Sequence, residues 1–177
     1  MDYDEHKFAE LVVYVAQRLQ GDPAGGAVKV NKVLFYAEFG HMRAHGRPIT
    51  GAEYFRLPQG PAPRRLVPVR DRLIARGDLQ QVKSSYLGMT QHRLIPLRDP
   101  DLSLFTDDEI ETVEQALAAL LSLTGAAASD MSHEEIGWQM VEERETIPFE
   151  AAYLRPPVIT DAIRARAKEL AVKRGIA

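Results

Sequence analysis

The sequence predicts a mainly α fold of the α+β class: a compact helical domain with a small antiparallel β-hairpin or sheet. Three observations predict it. Apolar residues recur at helical spacing in most of the long segments between glycine and proline breaks. Only two stretches, 54–57 and 79–97, are patterned as strands. And 45% of the 177 residues are apolar, which suits a packed core and not a disordered chain.

In "EHKFAELVVYVAQRL" (5–19), Phe8, Leu11, Val12, Val15 and Leu19 form one stripe behind an Asp4 N-cap. "GDPAGG" ends that helix in a loop. "VKVNKVLFYAEFGHMRAH" (28–45) is apolar nearly all round: Val30, Val33, Leu34, Ala37 and His41 trace one face, and Phe35, Tyr36 and Phe39 widen it. Such a helix belongs in the middle of a domain. Gly46 and Pro48 stop it. After the short strand at 54–57 comes "RLPQGPAPRRL" (56–66), with three prolines and a glycine between Pro58 and Pro63. A flexible linker would use Gly and Ser without Pro, so this run reads as a stiff loop.

"RRLVPVRDRLIARGDL" predicts a helix with Leu66, Val69, Leu73 and Ile74 inward, closed by Gly77. Proline costs about 3 kcal/mol in a helix interior, so the helix is expected to begin near Pro68 or after an irregular turn. "LQQVKSSYLGMTQHRLIPL" (79–97) predicts a β-hairpin turning near Gly88, with Val82, Tyr86, Leu94, Ile95 and Leu97 as its apolar positions. Thr106 and Glu109 make a capping box for the next helix, whose inward stripe is Ile110, Val113, Leu117, Leu120 and Leu121. Ser132 and Glu135 have the same spacing and predict a second box, heading a short helix with Ile136, Trp138 and Met140. A last helix capped by Thr160, with Ile163, Ala167 and Leu170 inward, ends the chain. Residues 1–155 are read as the domain and 156–177 as a C-terminal helix packed on it.

Charge is unevenly distributed. Residues 43–98 carry 11 Lys or Arg against 3 Asp or Glu, and residues 99–150 carry 14 acidic groups against 1 basic. Two readings stand: the blocks face each other within the fold, or one of them meets a charged partner. The basic block has few aromatics interleaved with its arginines and the chain is acidic overall, which argues against nucleic acid. The absence of cysteine excludes disulfides, thiolate metal sites and cysteine nucleophiles. No apolar run is long enough to span a membrane. The acidic opening "MDYDEHKF" is unlike a signal peptide, so a cytoplasmic protein is expected.

Motifs of catalysis are scarce. There is no phosphate-binding GxxxxGK[ST], no GxGxxG and no GxSxG. His41 and His45 have the i, i+4 spacing of a metal-binding pair, but no glutamate lies between them as in a zinc protease. A buried, hydrogen-bonded His41 is the preferred reading, and no cofactor or metal is expected. His133 is either a helix-start residue packed near Trp138 or a general base or partner contact.

Three stretches in order resemble the Panacea domain, the SocA-like antitoxin domain of bacteria and phages. "VKVNKVLFYAEFGHMRAHGRPITGAEYFRLPQGPAPRRL" has its lysine-containing buried helix (Lys29, Lys32, Leu34, Tyr36, Ala37), its Gly46-Arg47-Pro48 stop and its Gly60-Pro61 turn. "MSHEEIGWQ" is similar to its Ser/Thr-His-x(4)-Trp element at Ser132, His133 and Trp138, and "TIPFEAAY" to its closing segment at Ile147 and Pro148. Gln59 stands where family members often carry an aromatic. The resemblance implies a non-enzymatic antitoxin that binds and neutralises a cognate toxin protein, with some relatives delivering the toxin to an ATP-dependent protease. On that basis the expected docking surface is Arg56, Pro58, Gln59, Gly60, Pro61, Arg64 and Arg65, held in one shape by its prolines. The alternatives are a metal-dependent or acid/base hydrolase using His41, His45 and His133, and a nucleic-acid-binding regulator.

Overall fold

Helices α1 (Glu5–Arg18) and α2 (Ala27–His45) build the centre of the domain. The computed structural model describes residues 2–154 and, in the tail, 165–166, 169–170 and 172–173. Asp4 caps α1 by accepting the Lys7 amide at 2.9 Å, and Gly46, at φ +73°, ends α2. As the all-round apolar pattern predicts, α2 is the hub, packed against α1, a fourth and a fifth helix, and strand β2 (Gly60–Pro63). Phe8, Leu11, Val12, Val15, Val33, Leu34 and Ala37 are fully enclosed between α1 and its neighbours.

Strand β1 (Tyr54–Leu57) pairs antiparallel with β2, Leu57 opposite Gly60. The proline run is therefore half turn and half strand, which corrects the loop expected there. The backbone explains how. Arg64 N donates to Glu53 O at 2.9 Å, so the ladder bonds fall at residues 64, 62 and 60, and Pro61 and Pro63 occupy the positions whose N–H would point out of the sheet. There the edge strand lies against α2, and proline removes two amides that would be buried without acceptors.

Helix α3 (Leu66–Ala75) begins before Pro68, which sits in the first turn where no amide needs a partner. Strands β3 (Leu79–Tyr86) and β4 (Met89–Pro96) form the second sheet, turning through Leu87 and Gly88, both at positive φ. Leu94 is buried, but Leu97 lies past the strand and is 56% exposed, contrary to expectation. The Thr106–Glu109 capping box opens α4 (Asp107–Leu120), in which Val113, Leu117 and Leu120 face inward. Leu121 does not: it follows the helix and points to solvent.

The second capping box does not form. Thr124 caps α5 (Gly125–His133), and Ser132 lies inside that helix. Glu135 precedes the single turn α6 (Ile136–Gln139), beyond which Met140 is exposed. Strand β5 (Thr146–Ile147) then adds to β1, giving the order β2-β1-β5. Phe35, Phe39, Tyr54 and Phe149 stack with centroids 4.4–5.7 Å apart and fasten this sheet to α2. The final helix expected from Thr160, with Ile163 and Ala167, and the boundary near residue 155 lie outside the described residues; Leu170, which is described, is exposed rather than inward.

The charged blocks are not tied to each other by ion pairs. Among the described residues, no ion pair joins 43–98 to 99–150. Helix α1 pairs with both: Glu5 and Glu10 take Arg72 and Arg98, while Lys7 and Arg18 take Glu109 and Glu114. Much of the basic block is committed internally. Arg98 holds Glu10 and Asp78, Arg93 holds the carbonyls of Leu19, Gln20, Asp22 and Pro23, and Arg43 holds that of Ala152. Among the described residues no helix is long and apolar enough to cross a membrane.

Candidate functional site

The β1–β2 turn, Leu57-Pro58-Gln59-Gly60-Pro61, is gripped from beneath at alternate carbonyls. Trp138 Nε1 donates to Leu57 O at 3.1 Å, Ser129 Oγ to Gln59 O at 2.5 Å, and Lys32 Nζ to Pro61 O at 3.2 Å. The three donors come from α6, α5 and α2. Ser132 Oγ, turned onto Ser129 O at 2.6 Å, packs against Gly60 with the Lys32 ammonium. At φ +95° Gly60 adopts a backbone conformation that L side chains avoid, and a methyl there would strike both Ser132 Oγ and Lys32 Nζ.

Lys32 is enclosed and has no carboxylate partner among the described residues, so burial pulls its ammonium down from 10.5 to about 7. Lys29, three residues earlier, is enclosed too, but Asp22 meets it at 2.5 Å. One lysine therefore closes the α1–α2 loop as an ion pair, and the other supports the turn as a lone hydrogen-bond donor.

Arg56 apart, the expected docking residues divide into two groups. Gly60 and Pro61 are buried: they shape the turn and offer no surface. Pro58 and Gln59 form its exposed apex, and Arg64 and Arg65 are exposed where β2 runs into α3. Arg65 forms no ion pair with the described residues. Arg64 is braced: Nη2 donates to Arg144 O at 2.8 Å and Thr146 Oγ1 at 3.0 Å, and Cζ lies 4.8 Å from the Phe55 ring. Arg56 is half-buried, with Nη1 donating to Val141 O at 2.7 Å and Cζ 4.2 Å from the Trp138 ring.

His133 stacks on Trp138 at 4.3 Å, so its ring packs against the residue that holds Leu57. Tyr36 is half-buried in the groove between α2 and α4. Burial raises its phenol, and nearby Glu135 adds to the shift. His41 and His45 stack on each other at 4.4 Å, and His41 Nδ1 donates to Arg47 O at 2.8 Å. For the metal-dependent form of the hydrolase alternative, among the described residues no group of three or more His, Asp or Glu side chains converges on a metal position.

Sequence reasoning passed over Ser129 and Glu38. Glu38 is fully enclosed and accepts from the Ile49 and Thr50 amides and from the Thr50 hydroxyl, binding the chain after α2 to its middle. Burial nevertheless raises its carboxyl from 4.5 to about 7. The available signal was a carboxylate set between Ala37 and Phe39, within the apolar face of the helix. Ser129 gave no signal, since its role depends on where α5 packs.

Three comparisons bear on this arrangement. A family model described as antitoxin SocA-like, Panacea domain, matches residues 30–139, more than half of the chain. No curated protein and no solved structure matches it. The matched span includes Lys32, the β1–β2 turn, Ser129 and Trp138, the residues that meet at the turn.

Proposed function

Since the chain belongs to the SocA-like antitoxin, Panacea-domain family, we propose that it is the antitoxin of a toxin–antitoxin pair, neutralising a cognate toxin by direct binding in the cytoplasm. The family supports an antitoxin role in general; the toxin-binding surface assigned here is the β1–β2 turn and the arginines beside it. One observation carries that assignment. The exposed Pro58–Gln59 apex stands on a turn whose carbonyls are held by Trp138, Ser129 and Lys32. A surface ordered before contact loses little entropy on docking, about 0.5–1.5 kcal/mol less for each side chain that need not be frozen. Arg65, and Arg64 on its braces, offer planar multi-donor groups to an acidic partner. Delivery of the bound toxin to an ATP-dependent protease belongs to the same reading.

The test is growth. The protein encoded beside this one is expressed alone and together with it. The reading expects toxicity alone, relief on co-expression, and reduced relief when Arg64 and Arg65 are both replaced by alanine. A harmless neighbour, or toxicity that this chain does not relieve, would contradict it.

A further inference from the structure

On the other side of the β1–β2 hairpin a groove runs between β1, β2, the start of α3 and the β3–β4 sheet. Its floor is apolar, with Val30, Phe55, Ala62 and Leu94, and Val67 stands at its mouth, 54% exposed. Arg64 and Arg70 rim it, and among the described residues no carboxylate lines it. The cavity measures about 170 Å³. That is below the roughly 300–1,000 Å³ of small-molecule sites. It is similar to the engineered apolar cavity of about 150 Å³ that takes a benzene ring. One leucine- or phenylalanine-sized side chain fits such a space.

We propose that this groove takes an apolar anchor residue of the partner protein, flanked in the partner's sequence by aspartate or glutamate. The inference rests on the antitoxin reading and deepens it by naming the chemistry of the docked segment. Charge selects the occupant. Most of the groove's lining comes from the basic stretch 43–98, and its two arginines meet no carboxylate among the described lining residues, whereas the groove between α2 and α4 is lined by Asp108 and Glu111, and in that between α1 and α3 Glu5 stands with Arg72 and Arg76. Arg70 is held by Asp71 at 2.7 Å and Arg64 approaches Glu53 at 3.6 Å, but both carboxylates are largely exposed. Such surface pairs contribute little and exchange readily for a partner's carboxylate. Arg64 also joins the two surfaces: it flanks the turn, covers Phe55 and rims the groove, so one partner segment can cross from apex to groove.

The experiment selects peptides from a random 12-residue phage-display library on the whole chain and on Val67→Glu. Position 67 is exposed and lies in the first turn of α3, where a carboxylate suits the helix dipole, so the variant is expected to keep the fold; circular dichroism checks this. The expected result is a consensus of one large apolar residue with neighbouring Asp or Glu. A synthetic peptide of that consensus should bind about tenfold or more weakly to Val67→Glu, and more weakly to the wild type as salt rises. No consensus, a basic consensus, or equal binding to Val67→Glu overturns the proposal. So does self-association of the purified chain that Val67→Glu abolishes, since a second copy, with Met140 exposed beside Glu142 and Glu143, would then be the occupant. Failure of the selection while growth relief persists removes the groove alone; failure of growth relief removes the antitoxin reading itself.

Discussion

Lys32 Nζ donates to the carbonyl of Pro61 at 3.2 Å, joining the central helix to the turn that carries the candidate docking apex. Ser129 and Trp138 do the same for Gln59 and Leu57, so the position of the apex is set by the core.

Gly60→Ala should destabilise the chain. The added methyl meets Ser132 Oγ and Lys32 Nζ, and the positive φ adds backbone strain. A loss of about 2–3 kcal/mol is expected by urea unfolding. Gly77→Ala is the control: its φ is also positive, at +78°, but its added methyl would meet nothing, so it should cost clearly less.

Lys32→Met should alter the pH dependence of stability. Burial lowers the folded pKa of Lys32 from 10.5 to about 7, so between those values the folded chain binds fewer protons than the unfolded chain. Stability from this group therefore rises with pH across that window and is lost as pH falls through about 7. Urea midpoints from pH 6 to 9 should climb in the wild type and flatten in Lys32→Met.

Glu38→Gln should flatten the opposite slope. Burial raises this carboxyl from 4.5 to about 7, so its contribution is present below 4.5 and lost as pH rises towards 7. Between pH 5 and 7 the wild type should lose stability relative to Glu38→Gln. Taken together, the two groups place the minimum of their joint contribution near neutral pH.

Arg98→Met should cost about 3 kcal/mol, because it leaves the buried Glu10 carboxylate without its bidentate partner. Burial alone would raise the Glu10 pKa, but the Arg98 hydrogen bonds and the Asp101 amide outweigh it and hold it below 4.5. That stabilisation is present above 4.5 and lost as pH falls through the lowered value. Adding Glu10→Gln to Arg98→Met should restore part of the loss in a double-mutant cycle.

Helices α1 to α4, the β3–β4 hairpin and the first capping box were legible because each depends on local pattern. α2 is buried as its all-round apolar sequence requires, and Thr106 with Glu109 forms the box their spacing predicts. β2 was not legible, since Pro61 and Pro63 read as turn residues until the ladder places them at outward edge positions. Ser132 and Glu135 imitate a capping box, whereas Thr124 starts α5 ahead of an alanine run with little apolar periodicity. Resemblance named Lys32, Tyr36, His133 and Trp138, but not the grip of three side chains on alternate carbonyls. That feature exists only once α2, α5 and α6 pack around a turn distant from each of them in sequence.

The most direct measurement is calorimetric titration of the protein encoded beside this one into the wild-type chain and into the folded double variant Arg64→Ala/Arg65→Ala. Binding by the wild type and affinity weakened about tenfold or more in the variant is the predicted result. Equal affinity for the two, or no binding to the wild type, would contradict the claim that the arginines beside the braced turn are where the partner docks.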